Sequence, residues 1–375
     1  MKFRMNNSKQ RVQGISVLVR SMDRPTLARA LDSIAAQIYQ PTEIVVVAAC
    51  GASHRALPAV WNDVPLRLLL PGSRLDRAAA ANAGLDAATG DWLNFLDDDD
   101  ELLPDHFLQL VDALEPIPKC RLAYTTTIIV REDGTTADSF GWQHHRLRLL
   151  TYPQFHMMAA LFHRSLLDGG VRFDESLSIC EDHDFWIQCA QHTEFKFVNK
   201  MTNRWHGFIG TSGAGVGINN NAVLVKETLS KVHQKWADLQ QEWSNTLDGL
   251  LYLGRSALQD ELSAEAMPFL GRALELTRDN IDSLGIGDML FLAQHALKIG
   301  SIADALPILE RALDLAPDDI NCLNLGGMAN FHSGNLLRAK DLLLRALEIA
   351  PGHSGIQKNV RLVEHRLSIV NRTSD

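Results

Sequence analysis

Five residue identities recur at one interval in the last third of the chain. Gly300 and Gly334, Ala305 and Ala339, Leu309 and Leu343, Ala312 and Ala346, and Pro317 and Pro351 each stand 34 positions apart. A period of that size signals a repeat architecture, in which each unit buries its apolar face only by stacking on its neighbours. The small residues let paired helices approach closely, and the closing proline stops each second helix and turns the chain. ALPILERALDLAPDD and AKDLLLRALEIAPGH are the two clearest second helices. AMPFLGRALELTRDN at 266–280 reads as a degenerate earlier copy, with Arg278 where the proline would fall, and Ser354 to Ser368 reads as a capping helix. A generic bundle has no reason to repeat Gly, Ala and Pro at one interval.

Over roughly residues 247–368 this pattern resembles the tetratricopeptide family, whose helical repeats have this period. The resemblance implies an all-α repeat domain with a protein partner.

The front of the chain has another rhythm. ISVLVR (15–20) and EIVVVAA (43–49) are β-branched runs too short for helices, and TLARALDSIAAQI between them has helical spacing at Leu27, Leu31, Ile34 and Ile38. Strand, helix and strand in that order make a parallel βαβ unit. RLDRAAAANAGLDAA reads as a further helix, which Gly90 ends, and DWLNFL (91–96) as the next strand. Parallel sheets bind ligands at the carboxyl ends of their strands. The residues after Arg20, Ala49 and Leu96 therefore carry the interest. The polar segment from Asn219 to Leu247 reads as a connection between domains. The expected division is an N-terminal tail at 1–13, an α/β domain at 14–240 and helical repeats at 241–370, as suits 375 residues.

Composition narrows the function. The formal net charge is -9, so the chain gains nothing from counterion release on a phosphate backbone, and nucleic acid is not the expected partner. The five cysteines form no CxxC pair, which suits reduced thiols and gives no sign of a zinc site. Residues 1–13 contain no apolar signal core, and no stretch approaches the ~20 apolar residues of a membrane helix. A cytoplasmic protein is expected.

Four consecutive aspartates, Asp97 to Asp100, follow the strand WLNFL. Like charges in a row repel, and a solvated charge run is the ordinary explanation. At the end of a buried strand, however, a cation site is the better reading. In extended backbone Asp97 and Asp99 point to one side, and paired hard oxygen donors suit Mg²⁺ or Mn²⁺ with diphosphate oxygens. Farther on, Ser178 and Glu181 have capping-box spacing at a helix start. That explains Glu181 and leaves Asp182, which shares a helical face with Phe185 and Trp186. A carboxylate against an apolar wall has a raised pKa and suits a general base. Asp76 can cap the alanine-rich helix, with Arg74 or Arg77 facing phosphate. The glycines at 207, 210, 213, 215 and 217 suit either a mobile lid or a plain linker. QHHRLRLL (143–150) reads as ordinary surface near the acceptor side.

ISVLVRSMDRPTLARALDSIAAQIYQPTEIVVV, LDRAAAANAGLDAATGDWLNFLDDDDELLPDHF and FDESLSICEDHDFW together resemble the family 2 inverting glycosyltransferases of the GT-A fold, over roughly residues 14–212. The resemblance implies transfer from a nucleoside diphosphate sugar to a glycan, lipid-linked or protein acceptor, with Mn²⁺ or Mg²⁺. It maps the DxD motif onto Asp97 and Asp99, a helical Asn onto Asn82, and the acidic pair before an aromatic onto Glu181 and Asp182, with Trp186 after them. On this reading Asp182 is the catalytic base. The donor-binding set is Arg20, Ala48, Arg77, Asn82, Asp97 and Asp98, and the metal set is Asp97, Asp99 and His206. One departure stands out. The family usually ends its second strand with an aspartate that reads the base, where this chain has Ala48, Ala49 and Cys50. The other reading is an inactive transferase-like domain on a tetratricopeptide scaffold for protein binding.

Overall fold

The computed structural model describes residues 14–114, 120–208, 215, 220–260 and 262–373. The chain divides into two compact units, residues 1–240 and 241–375.

In the first unit, β1 (Ile15–Ser21), α1 (Leu27–Ala35) and β2 (Glu43–Ala48) form the expected parallel βαβ. A short β3 (Val60–Trp61) and β4 (Val64–Leu69) follow, then α2 (Arg77–Ala87), β5 (Trp92–Asp97) and β6 (Glu101–Leu102). Then come α3 (His106–Leu114), β7 (Leu122–Val130), β8 (Thr136–Phe140), α4 (Arg146–Thr151), β9 (Ala160–His163), α5 (Glu181–Ala190) and β10 (Phe195–Trp205). Helices α6 (Ala222–Lys235) and α7 (Ala237–Ser244) follow. Among the described residues the strands form one sheet in the order β3-β4-β2-β1-β5-β9-β7-β10-β6, with β8 on β7.

β1 sits between β2 and β5, parallel to both. Its apolar residues are buried on both faces, as a central parallel strand requires. From β1 the chain runs outward to β2 on one side, and β5 returns on the other. Such a switch in strand order opens a crevice at the carboxyl ends, where Arg20 and Asp97 lie. Asp76 caps α2 by accepting from the Ala79 N–H at 2.8 Å. The helix stops at Ala87, before Gly90. A side chain at Gly90 would place its Cβ 2.3 Å from the Gly14 carbonyl oxygen, so that glycine serves the entry into β1 rather than the helix end.

Among the strands that the sequence pattern missed, β4 and β7 are the longest. Pro65 and Arg67 interrupt the apolar run of β4, whose alternate residues face solvent. β7 carries three consecutive threonines, all buried.

The stretch from 219 to 247 is more than a connection. The Asp184 carboxylate on α5, fully buried, accepts from Lys235 Nζ at 3.0 Å and from Trp236 Nε1 at 2.8 Å. The end of α6 is thus fastened to α5 within the first unit. QHHRLRLL is not simple surface either. Leu147, Leu149 and Leu150 of α4 are buried, and His183 of α5 bonds the Leu149 carbonyl at 2.5 Å.

The second unit contains α8 (Leu247–Gln259), α9 (Ser263–Asn280), α10 (Ile286–Lys298), α11 (Ile302–Leu315), α12 (Ile320–His332), α13 (Leu336–Ile349) and α14 (Ser354–Thr373). Successive helices from α10 to α14 pack against one another. The recurring residues divide into separate roles. Ala305, Ala312, Ala339 and Ala346 are fully buried between helices. Gly300 and Gly334 have φ of +80° and +88°, the left-handed conformation that ends a helix. They therefore turn the chain, where close helix approach was expected of them. Pro317 and Pro351 follow the ends of α11 and α13. With Arg278 in the corresponding place, α9 runs on to Asn280, and Arg278 pairs with Asp304 at 2.9 Å.

Candidate active site at the carboxyl ends of the first and fifth strands

Arg20 and Asp97 are partners in the parallel register of β1 and β5. Arg20 Nε and Nη2 donate to the two Asp97 carboxylate oxygens at 2.7 and 2.9 Å. Its Nη1 donates to Glu181 Oε1 at 2.7 Å. A planar guanidinium thus joins the end of the sheet to the start of α5. Burial works against ionising Asp97, but the Arg20 charge and hydrogen bonds outweigh it and hold that carboxyl below its usual range.

The four aspartates do not continue the strand. β5 ends at Asp97, and Asp100 N–H donates to the Asp97 carbonyl at 3.1 Å across a turn. The turn parts the Asp98 carboxylate from the other three. Those of Asp97, Asp99 and Asp100 bring one oxygen each within 4.8 Å of one another. Burial, then repulsion from Asp97, pushes the Asp99 carboxyl up to about 6, and burial with repulsion from Asp99 raises Asp100 well above the ordinary value. Three hard oxygen donors whose crowding resists ionisation fit a small divalent cation.

Several expected site residues lie elsewhere. Asp98 is fully buried. It accepts from Ser21 Oγ at 3.0 Å, Met22 N–H at 2.7 Å and Arg24 Nη1 at 2.5 Å, so it fixes the loop after β1 and does not reach the cleft. Asn82 bonds both backbone groups of Phe173 at 3.0 Å and Glu175 at 3.0 Å, tying α2 to the segment before α5. Ala48 is fully buried, and Ala49 lines the cleft in its place. His206 reaches the cleft, but its ring bonds Glu101 at 3.1 Å, and it contributes to the acidic cluster only through its backbone N–H, 2.9 Å from Asp100. The fourth aspartate, Asp100, which the sequence reading did not single out, joins Asp97 and Asp99 in the cluster. Its signal was its membership in the run, which a strictly alternating strand concealed.

Glu181 is not a capping residue. The N-cap of α5 is Cys180, at φ 56°, with no side-chain cap bond, so no capping box forms with Ser178. Asp182, half-buried, lines the cleft beside Glu181. Burial, then the Glu181 charge, pushes its carboxyl up to about 6.

Two hollows meet at Arg20, Arg77, Asp97 and Asp99. One, of about 590 Å³, is walled by Met22, Ala49, Leu75 and Ala80, with Arg24 and Arg74. The other, of about 260 Å³, holds Asp100, Glu181, Asp182 and His206 beside Phe140, His156 and Trp205. Of the glycines expected in a lid, 210, 213 and 217 lie outside the described residues, while Gly207 and Gly215 line the second hollow.

Part of the front unit is similar to known proteins. Residues 16–165 match the family described as glycosyl transferase family 2. Over 174 residues the chain is 32% identical to the succinoglycan biosynthesis protein ExoO of Rhizobium meliloti, covering 42% of this chain and 50% of that protein. Over 187 residues it is 26% identical to the amylovoran biosynthesis glycosyltransferase AmsB of Erwinia amylovora, covering 46% and 62%. The chain thus spans about half the length of the first of these relatives. A solved structure of S. aureus TarS 1-349 in complex with UDP-GlcNAc shares 14% identity at a TM-score of 0.44, over 95% of this chain and 91% of that one. Among the described residues no helix is long and apolar enough to cross a membrane. Over residues 16–165 the front unit is similar to glycosyl transferase family 2.

Proposed function

We propose that the front unit transfers a sugar from a nucleoside diphosphate sugar to an acceptor hydroxyl, with inversion at the anomeric carbon. The observation that carries this reading is the placement of Asp182 and the acidic cluster in one cleft. Asp97, Asp99 and Asp100 would hold Mn²⁺ or Mg²⁺, which when bound offsets the charge that grows on the departing diphosphate. Asp182 takes the proton of the acceptor hydroxyl, which attacks from the face opposite the leaving group. Arg20 keeps Asp97 ionised and fixes the start of α5, so the base and the cluster keep their spacing. Arg77, at the meeting of the two hollows, faces the diphosphate. The apolar end of the larger hollow receives the nucleobase by contact with Met22, Ala49 and Leu75. The Ala49 carbonyl is already bonded to the Leu75 N–H at 2.9 Å and its N–H to the Ser21 carbonyl at 2.8 Å.

The helical repeats are proposed as a tetratricopeptide-type surface for a protein partner. A second reading, an inactive transferase domain on that scaffold, is favoured by one observation: Arg20 already occupies both oxygens of Asp97. A thermal-shift screen of UDP-, GDP- and ADP-sugars, with and without Mn²⁺, tests the choice. A ligand that binds only the native state raises its stability. The transferase reading expects a nucleotide-sugar shift that depends on Mn²⁺; no shift with any of them supports the scaffold.

A further inference from the structure

The smaller hollow continues away from Asp182 along aromatic rings that the proton transfer does not need. Trp205, at the end of β10, lies against His156 with centroids 4.6 Å apart and the rings tilted by 32°. His156 meets Phe140, at the end of β8, at 4.8 Å, and Phe140 meets Trp142 at 5.4 Å. Trp205, His156 and Phe140 line the hollow, and Trp142 at the outer end is 42% exposed. A core would bury such a row. This one runs from the reacting carboxylates to solvent. It also carries polar handles. His156 Nδ1 is buried with no hydrogen-bond partner, and the Arg148 guanidinium lies 3.9 Å from the Trp142 ring centroid.

We propose that this ring ladder is the acceptor subsite and that the acceptor is a glycan of at least two consecutive sugar units. The inference rests on the transferase reading above. Pyranose rings present C–H faces that pack on aromatic rings, and hydroxyl edges that pair with groups such as an imidazole nitrogen or a guanidinium. A row of rings with an imidazole within it and a guanidinium at its outer end suits that alternation. A lipid chain would leave the polar handles unpaired at a cost. The terminal sugar sits by His156 and Trp205, with its hydroxyl toward Asp182. The next unit lies over Phe140 toward Trp142. Burial drives the His156 ring down to about 4, so it meets the sugar as a neutral imidazole with both donor and acceptor character.

The test uses the full chain with Mn²⁺ and a panel of UDP-, GDP- and ADP-sugars. Acceptors are methyl glycosides of glucose, galactose and N-acetylglucosamine, together with their disaccharides. The ladder predicts a higher kcat/KM for a disaccharide than for its monosaccharide. Trp142→Ala should remove about fivefold of the disaccharide value and leave the monosaccharide value within about twofold, the scale of one ring contact. Trp142→Phe should restore most of the loss, which separates a ring contact from a folding defect. An equal loss for both acceptors, no loss for either, or failure of Trp142→Phe to rescue overturns the assignment. So does transfer confined to a prenyl phosphate in detergent micelles. Release of nucleoside diphosphate without acceptor distinguishes the layers. Release without a disaccharide preference sinks only the ladder, whereas no release from any donor sinks the transferase reading and the ladder with it.

Discussion

Arg20 and Asp97 stand opposite each other in neighbouring parallel strands, and the guanidinium binds both oxygens of the carboxylate while its remaining nitrogen holds Glu181. One side chain therefore fixes a cluster carboxylate to the helix that bears the proposed base. Arg20 is 10% exposed and Glu181 2%, so removing the cation strands a buried acid. Arg20→Met should cost about 3 kcal/mol of stability, as breaking one side of a buried pair does. Glu181→Gln should cost more than the ~1 kcal/mol of a lost helix cap, because it breaks the same triad. Urea unfolding of both variants checks this; a loss below 1 kcal/mol for Arg20→Met would remove the triad from the account.

The proposed base has a pH signature. The Asp182 carboxyl lies at about 6, against an ordinary value of 3.8, through burial and then the Glu181 charge, partly offset by Arg20 and Arg77. A base works as the carboxylate, so transfer should rise with pH through about 6 and level off above it. Because the folded value is raised, the neutral form favours the fold. That contribution is complete below 3.8 and lost as the pH climbs through about 6. Activity and Tm should thus move in opposite directions over the same window. Asp182→Asn should lower transfer by about 10²–10⁴-fold and flatten that limb. A pH profile unchanged in this variant would assign the proton to another group.

The anchoring of α6 gives a structural prediction. Asp184 is fully buried and takes hydrogen bonds from Lys235, Trp236 and Gln188 at 2.8–3.0 Å. Asp184→Ala removes the acceptor of the Trp236 and Gln188 hydrogen bonds and leaves Lys235 with Asp174 at 2.7 Å, and should cost about 1–3 kcal/mol. Hydrogen exchange should quicken in residues 222–236 before it does in β1 and β5. Equal protection in wild type and variant would show that α6 is held by other contacts.

Much of this was legible in the sequence because it rests on short-range pattern. The β1-α1-β2 unit followed from Leu27, Leu31 and Ile34 at helical spacing between two apolar runs, and the repeat helices followed from a 34-residue interval. What failed depended on tertiary partners. Glu181 has the spacing of a capping residue, yet an arginine 161 positions away claims it. Asp98 looks like its neighbours until the turn after β5 directs it inward to Ser21 and Met22. His206 lines the cleft, with its ring bonded to Glu101, a partner that the sequence does not single out. No local rule in the run Asp97 to Asp100 tells which carboxylates face a cleft, because the turn decides it.

The central claim is metal-dependent chemistry on a nucleotide sugar at the acidic cluster. The most direct measurement is release of nucleoside diphosphate from a panel of UDP-, GDP- and ADP-sugars, with Mn²⁺ and with EDTA, by wild type and by Asp99→Asn. Asp99 belongs to the cluster of carboxylate oxygens lying within 4.8 Å of one another, and its amide variant keeps the side-chain size. The account predicts release by wild type with Mn²⁺, none with EDTA, and a loss of about 10²-fold or more in folded Asp99→Asn. Release that persists in EDTA, or that is undiminished in Asp99→Asn, would contradict it.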